Sequence, residues 1–202
     1  MTVECYDALA DEYAQRAEKS RISIRATVNQ HFVPLLPRYA KVLDIGCAVG
    51  VATEELCAAG CDAAGVDNSR RMIAIARRDR QQGHFMCADY IDTPFWNLDG
   101  ILAFAFVHLF PKSEAPLLLG KMYWELKSGG ILYTGTTVEP ESSEGWESKD
   151  DYPGAPKRYR ARYTKNEYAE LVASVGFEPV SITEHTDEFG KLWRDVLVRR
   201  PA

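Results

Sequence analysis

From Lys41 onward, short apolar runs alternate with segments whose apolar residues recur at helical spacing. The runs predict strands over residues 42–44, 63–66, 84–87, 100–104 and 131–137. The segments between them predict helices over 51–59, 69–78 and 113–127. A helix over 165–175 and strands over 177–184 and 192–199 complete the series. Such alternation builds a parallel sheet covered by helices on both faces. The last two strands flank "DEFG", a connection too short for a crossover, so they pair antiparallel. The expected fold is α/β and Rossmann-like, with a seven-stranded, mostly parallel sheet and one antiparallel strand near the edge.

Several boundaries carry their own chemistry. Ser69, after Asp67 and Asn68, is placed to cap a helix, and Thr164 with Glu167 forms a capping box. Gly129-Gly130 is expected to stop the helix before it. Ahead of the alternating core, "YDALADEYAQRAEKS" and "IRATVNQHFVPLL" read as two helices, the second ended by Pro34 and Pro37, lying across one end of the sheet. The chain reads as one domain. Residues 1–38 are an N-terminal helical cap, 40–137 a core, 138–163 a polar insertion, and 164–202 a C-terminal helix and hairpin.

Composition narrows the class. With 24 basic and 29 acidic residues the net charge is −5, which favours neither nucleic acid nor an anionic membrane. No apolar stretch is long enough for a membrane span, and the N-terminus lacks the pattern of a signal peptide. The five cysteines include no CxxC pair and read as reduced thiols of a cytoplasmic protein. His31, His84, His108 and His185 have no metal-ligand spacing, so no metal is expected.

The candidate chemistry begins at "VLDIGCAVG". A first strand-to-helix loop of small residues lets backbone touch a ligand, and Gly46 and Gly50 permit turns that a β-carbon opposes. A second strand ends in Asp67, where a carboxylate can accept both hydroxyls of a ribose. Both features leave dinucleotides and adenosyl cofactors open. The loop departs from GxGxxG at Ala48 and Val51, Asp44 would repel a pyrophosphate but attract a cation, and a third acid, Asp89, follows in "MCADY".

In order and spacing, "VLDIGCAVG", "GVDNS", "MCADY", "LDGILAFAFVHLF" and "LKSGGILYTGT" resemble the successive motifs of class I S-adenosylmethionine-dependent methyltransferases of the small-molecule type. The resemblance covers residues 41–137. It implies S-adenosyl-L-methionine as cofactor and S-adenosyl-L-homocysteine as product. Asp44 would face the methionine amino group, with Gly46, Cys47 and Gly50 lining that end. Asp67 would hold the ribose, Asn68 and Met72 would flank the adenine, and Asp89, beside Tyr90, would bind its amine. An aromatic on the first helix, Tyr13 or Tyr6, would cover the site, while Phe104 and Phe106 form an apolar wall near the methyl group.

His108 is the best-placed candidate base, although it also suits local packing. In the insertion, "KRYRARY" reads as an extended segment with Arg158, Arg160 and Arg162 on one face and Tyr159 and Tyr163 on the other. These arginines would clamp a substrate carboxylate or phosphate, or else keep an exposed edge soluble. Trp146 could cover the acceptor. The expected activity is methyl transfer to a small molecule by in-line displacement. Methylation of protein or nucleic acid, a non-methylating cyclase, a pseudoenzyme and a nicotinamide-dependent oxidoreductase are the alternatives.

Overall fold

A computed structural model describes residues 2–150, 152, 154 and 156–202. Met1 of the cap and Asp151, Pro153 and Ala155 of the insertion lie outside the described residues.

Seven strands form one sheet in the order β3-β2-β1-β4-β5-β9-β8. They are β1 (Lys41–Ile45), β2 (Asp62–Asp67), β3 (His84–Cys87), β4 (Leu98–Phe104), β5 (Leu126–Thr137), β8 (Glu178–Thr186) and β9 (Leu192–Arg199). Neighbours from β3 to β5 pair parallel, and β9 runs antiparallel to both β5 and β8. This is the expected Rossmann-like arrangement, with its reversed strand one place in from the edge. Strand order reverses between β1 and β4, where a parallel sheet opens a crevice beyond its carboxyl ends.

Alternation along each strand divides the core in two. On one face Leu43, Ile101, Leu132 and Val196 pack under Leu118, Leu119 and Met122 of α6 (Ala115–Glu125) and Tyr168 and Val172 of α7 (Lys165–Ala173). On the other, Val42, Leu102, Tyr133 and Leu197 pack under Leu56 of α4 (Val51–Ala58) and under Val28 and Phe32. Helix α5 (Arg70–Asp79) follows β2, capped by Ser69, whose hydroxyl accepts from the Met72 amide. The Thr164–Glu167 capping box is also formed.

The N-terminal segment corrects two expectations. Its first helix is broken at Leu9 into α1 (Thr2–Ala8) and α2 (Ala10–Lys19). The break serves two packing demands: Cys5 and Leu9 bury against Tyr152, while Ala10 meets Met72 and Ile75 of α5. The second is α3 (Arg21–Thr27), which widens into a π turn over Val28–Phe32 and tightens into a 3-10 turn over Val33–Leu35. That stretch covers a sheet face instead of crossing its end. A β-carbon at Gly100 would stand 2.9 Å from Phe32 and Leu36, so the glycine in β4 admits this close approach.

Gly129-Gly130 likewise does not stop α6, which ends at Glu125. Both glycines lie in β5, where the register with β4 shifts between Leu98 and Gly100. The insertion is a separate antiparallel hairpin, β6 (Ser143–Ser148) with β7 (Lys157–Arg162). No helix among the described residues is long and apolar enough to cross a membrane.

Candidate functional site

A cavity of about 550 Å³ lies over the carboxyl ends of the central strands. Its lower wall comes from the β1, β2 and β3 tips, and its roof from α1, α2 and the β7 arginines.

Asp44 near the end of β1 is buried and accepts a 2.6 Å hydrogen bond from the Thr53 hydroxyl on α4. Burial pushes its carboxyl up to about 7, partly offset by Thr53 and reinforced by Asp67. A cation arriving here would favour the ionised form. Asp67 at the end of β2 accepts from the Ala48 amide at 3.0 Å and the Ser69 amide at 2.8 Å. Those two bonds bind the first and second loops together, and burial raises this carboxyl as well.

The loop itself holds unusual backbone. Gly46 (φ 68°) and Gly50 (φ 77°) are left-handed, and so is Ala48 at φ 48°. An alanine bears that conformation at a cost on the order of 1 kcal/mol. Ala105, beyond β4 and also lining the cavity, has φ 52°. Sequence marks Ala48 as a departure from glycine but gives no sign of Ala105, because the role of each is carried by dihedral angles.

Most expected cofactor residues converge here. Tyr13, Asp44, Gly46, Cys47, Asp67, Asn68, Met72, Asp89, Tyr90 and Phe104 all line the cavity. Asp89 also accepts from the Ile91 amide at 2.9 Å. Tyr90 contributes its ring only, since its hydroxyl donates to Glu125 on α6. Gly50 is the exception and does not line the cavity. It is the residue before α4, and a β-carbon there would strike the Phe85 ring.

On the acceptor side the structure splits the expected group. Tyr6, His108, Arg158 and Arg160 line the cavity, whereas Trp146 and Arg162 do not. Trp146 is half exposed and meets Tyr159 edge-on. Arg162, at the end of β7, pairs with Glu147 at 2.6 Å and Glu139 at 3.3 Å. Only part of the arginine row therefore faces the cavity. Arg158 donates to the Tyr6 hydroxyl at 2.9 Å, joining β7 to α1 across the roof.

His108 sits in a 3-10 turn after β4 and is buried. Its Nε2 is 3.3 Å from the Arg160 guanidinium, which can only donate. Nε2 is therefore the acceptor, and Nδ1–H donates to the Thr136 hydroxyl at 2.8 Å. Burial and the Arg160 charge hold the imidazole well below its ordinary range. Arg160 also donates to Thr137, and burial beside Arg158 lowers it to about 10.

Sequence reasoning missed several lining residues. Lys149 and Tyr152 come from the insertion, and His185, Trp193 and Asp195 from the β8–β9 hairpin. Only the tertiary fold brings these segments over the strand tips. No periodicity or motif marks them.

Residues 42–130 match the model of a methyltransferase domain family. The chain is 28% identical over 151 residues to a malonyl-[acyl-carrier protein] O-methyltransferase of Enterobacter lignolyticus, covering 72% of this chain and 58% of that protein. It is 27% identical over 156 residues to a carboxy-S-adenosyl-L-methionine synthase of Hydrogenovibrio crunogenus, covering 73% and 62%. The chain thus spans less than two thirds of the length of these curated relatives. Among solved structures, the 1,6-didemethyltoxoflavin-N1-methyltransferase of Burkholderia thailandensis, with bound 1,6-didemethyltoxoflavin and S-adenosylhomocysteine, aligns at TM-score 0.76 and 16% identity. That alignment covers 99% of this chain and 87% of the other. Residues 42–130 thus carry a methyltransferase-domain match, set in a fold shared with solved S-adenosylmethionine-dependent methyltransferases.

Proposed function

We propose that the protein transfers a methyl group from S-adenosyl-L-methionine to a small-molecule acceptor that carries an anionic group. One observation carries this reading: a single cavity has carboxylates along one wall and buried guanidinium along the other. The residues fit the cofactor. Asp44, raised by burial, would gain from a neighbouring ammonium, and Asp67 and Asp89, which line the same cavity, would accept from a ribose and an adenine amine. When bound, S-adenosyl-L-methionine supplies an electrophilic methyl group on a sulfonium.

The chain's contribution is alignment and exclusion of water. Tyr6 and Tyr13 pack edge-to-face, with centroids 6.1 Å apart, and form part of the roof. Arg160 would meet the acceptor's anion with paired donors, and Arg158 and Lys149 add positive charge on the same side. His108, its Nε2 occupied by Arg160, acts as a strut for that guanidinium.

A second reading rests on the relatives called carboxy-S-adenosyl-L-methionine synthase, for which Arg160 would hold the added carboxylate. Mass spectrometry of the products separates the two. Methyl transfer yields S-adenosylhomocysteine and a methylated acceptor, whereas the second reading yields a carboxylated cofactor. Absence of both products across anionic acceptors would refute the proposal.

A further inference from the structure

The cavity has a second ionisable cluster that the proposal above leaves unused. Asp195 on β9 is buried, and its Oδ2 accepts from the Tyr133 hydroxyl at 2.8 Å. The same oxygen lies 3.2 Å from Nδ1 of His185 on β8. A β-carbon at Gly135 would collide with the Asp195 carboxylate, so β5 leaves room for this acid. His185 stacks on Trp193 with rings 8° from parallel, and the Trp193 indole N–H donates to Asp187 at 2.8 Å. A half-exposed imidazole is thus fixed by both a carboxylate and an aromatic face, and it lines the cavity.

This arrangement is the inverse of that at His108. There a guanidinium occupies the lone pair of Nε2. At His185 the Asp195 carboxylate accepts from Nδ1–H, so Nε2 carries the lone pair on a side chain that lines the cavity. The charged groups around it are Asp195 and Asp187, with Glu188 and Lys191 in the hairpin and His31 acting on Asp195 from the N-terminal segment.

Register gives the scale. Thr137, which holds Arg160, pairs with Trp193, and Trp193 pairs with His185. Two strand spacings, about 10 Å, therefore separate the backbone of Thr137, which anchors the anion-binding pole, from that of His185. A substituted aromatic ring with a hydrogen bond at each end spans that gap. Trp193, on the strand between the poles, gives the cavity an apolar wall there, and Phe104 adds another from β4. A carboxylate gripped by guanidinium is also a poorer nucleophile, because its lone pairs are engaged.

Resting on the methyltransferase reading, we infer that the acceptor is a hydroxy- or amino-carboxylic acid whose carboxylate is held at Arg160 and whose hydroxyl or amine receives the methyl group while giving up its proton to His185. The acceptor oxygen or nitrogen forms the new bond to the methyl carbon. The carbon–sulfur bond breaks with its electron pair going to sulfur, and the acceptor proton passes to His185 Nε2 and then to solvent. Asp195 acts as a positioning residue that fixes the tautomer.

The test uses the full chain and three probes: benzoate, para-hydroxybenzoate and para-aminobenzoate. Calorimetry with S-adenosylhomocysteine comes first, and equal binding by wild type and His185→Gln is required. No binding by wild type would sink the methyltransferase reading itself. A loss confined to the variant would overturn the base assignment alone. Transfer to each probe is then followed by mass spectrometry. The hydroxy or amino probe is expected to be methylated at oxygen or nitrogen, with benzoate bound but unchanged. His185→Gln and Asp195→Asn should lower kcat by on the order of 10²-fold with KM altered by less than about twofold. Nitrogen NMR of labelled imidazoles, independent of turnover, should show His185 as the Nδ1–H tautomer in wild type and not in Asp195→Asn. Esterification of benzoate, failure of all three probes to bind, unchanged kcat in His185→Gln, or an Nε2–H tautomer in wild type would each overturn the inference.

Discussion

Two arginine sites in this molecule have opposite surroundings. Arg21 on α3 bonds Glu54 and Glu55 on α4, each at 2.9 Å, and Arg25 reaches Glu55 at 2.7 Å. Glu18, with Glu54, raises the Arg21 guanidinium, and Glu55 raises that of Arg25. Arg160 instead meets a histidine and a threonine, with Glu147 at 3.9 Å, and is lowered by burial and by Arg158. The first site ties the N-terminal segment to α4 and is neutralised in doing so. The second keeps its positive charge facing a cavity. The same residue type is structural where acids surround it, and under the proposed function it would meet a ligand where its near partners are neutral.

The largest effect should come at the second site. Arg160→Ala is expected to raise the acceptor KM by on the order of 10²-fold while leaving cofactor affinity unchanged, as steady-state kinetics and calorimetry would show. Unchanged kinetics would erase the distinction between the two sites. Arg21→Ala should behave in the opposite way, costing about 1–3 kcal/mol of stability in denaturant unfolding because Glu55 is buried, with kinetic constants intact.

The pH dependence sharpens the contrast at the carboxylate wall. Asp44 sits near 7 in the fold against an ordinary 3.8, so between those values the folded state holds the extra proton. Its contribution to stability is thus full below the ordinary value and fades as pH rises toward 7. A cationic ligand prefers the ionised carboxylate, so the rise in Tm caused by S-adenosylmethionine should grow from pH 5.5 to 8, on the order of one to a few degrees. Asp44→Asn should flatten that dependence. The smallest change is Ala48→Gly, expected to stabilise by about 0.5 kcal/mol because Ala48 has φ 48°, measured by the denaturation midpoint.

The two walls also differ in how far they could be read beforehand. The carboxylate wall is written locally: each acid follows its own apolar run, so Asp44, Asp67 and Asp89 could be placed from strand periodicity and loop composition. Strands β3 and β9 have the expected bounds for the same reason. Gly50 misled because a left-handed glycine beside a site and one serving only a helix start look alike in sequence. The arginine and histidine side depends on long-range contacts. Arg158 reaches Tyr6 across the molecule, and His185 meets Asp195 only through the β8–β9 register. Arg162 shares the alternation of Arg158 and Arg160, yet two glutamates claim it. Periodicity predicts a shared face, and only tertiary contacts decide which members of that face reach a ligand.

The direct test of the central claim is a calorimetric titration of S-adenosylhomocysteine into the wild-type chain and into Asp67→Ala. Saturable binding at one site per chain, weakened by at least about tenfold in the variant, is the expected result. No heat in wild type, or the same affinity in both proteins, would contradict a cofactor held by the carboxylates at the strand tips.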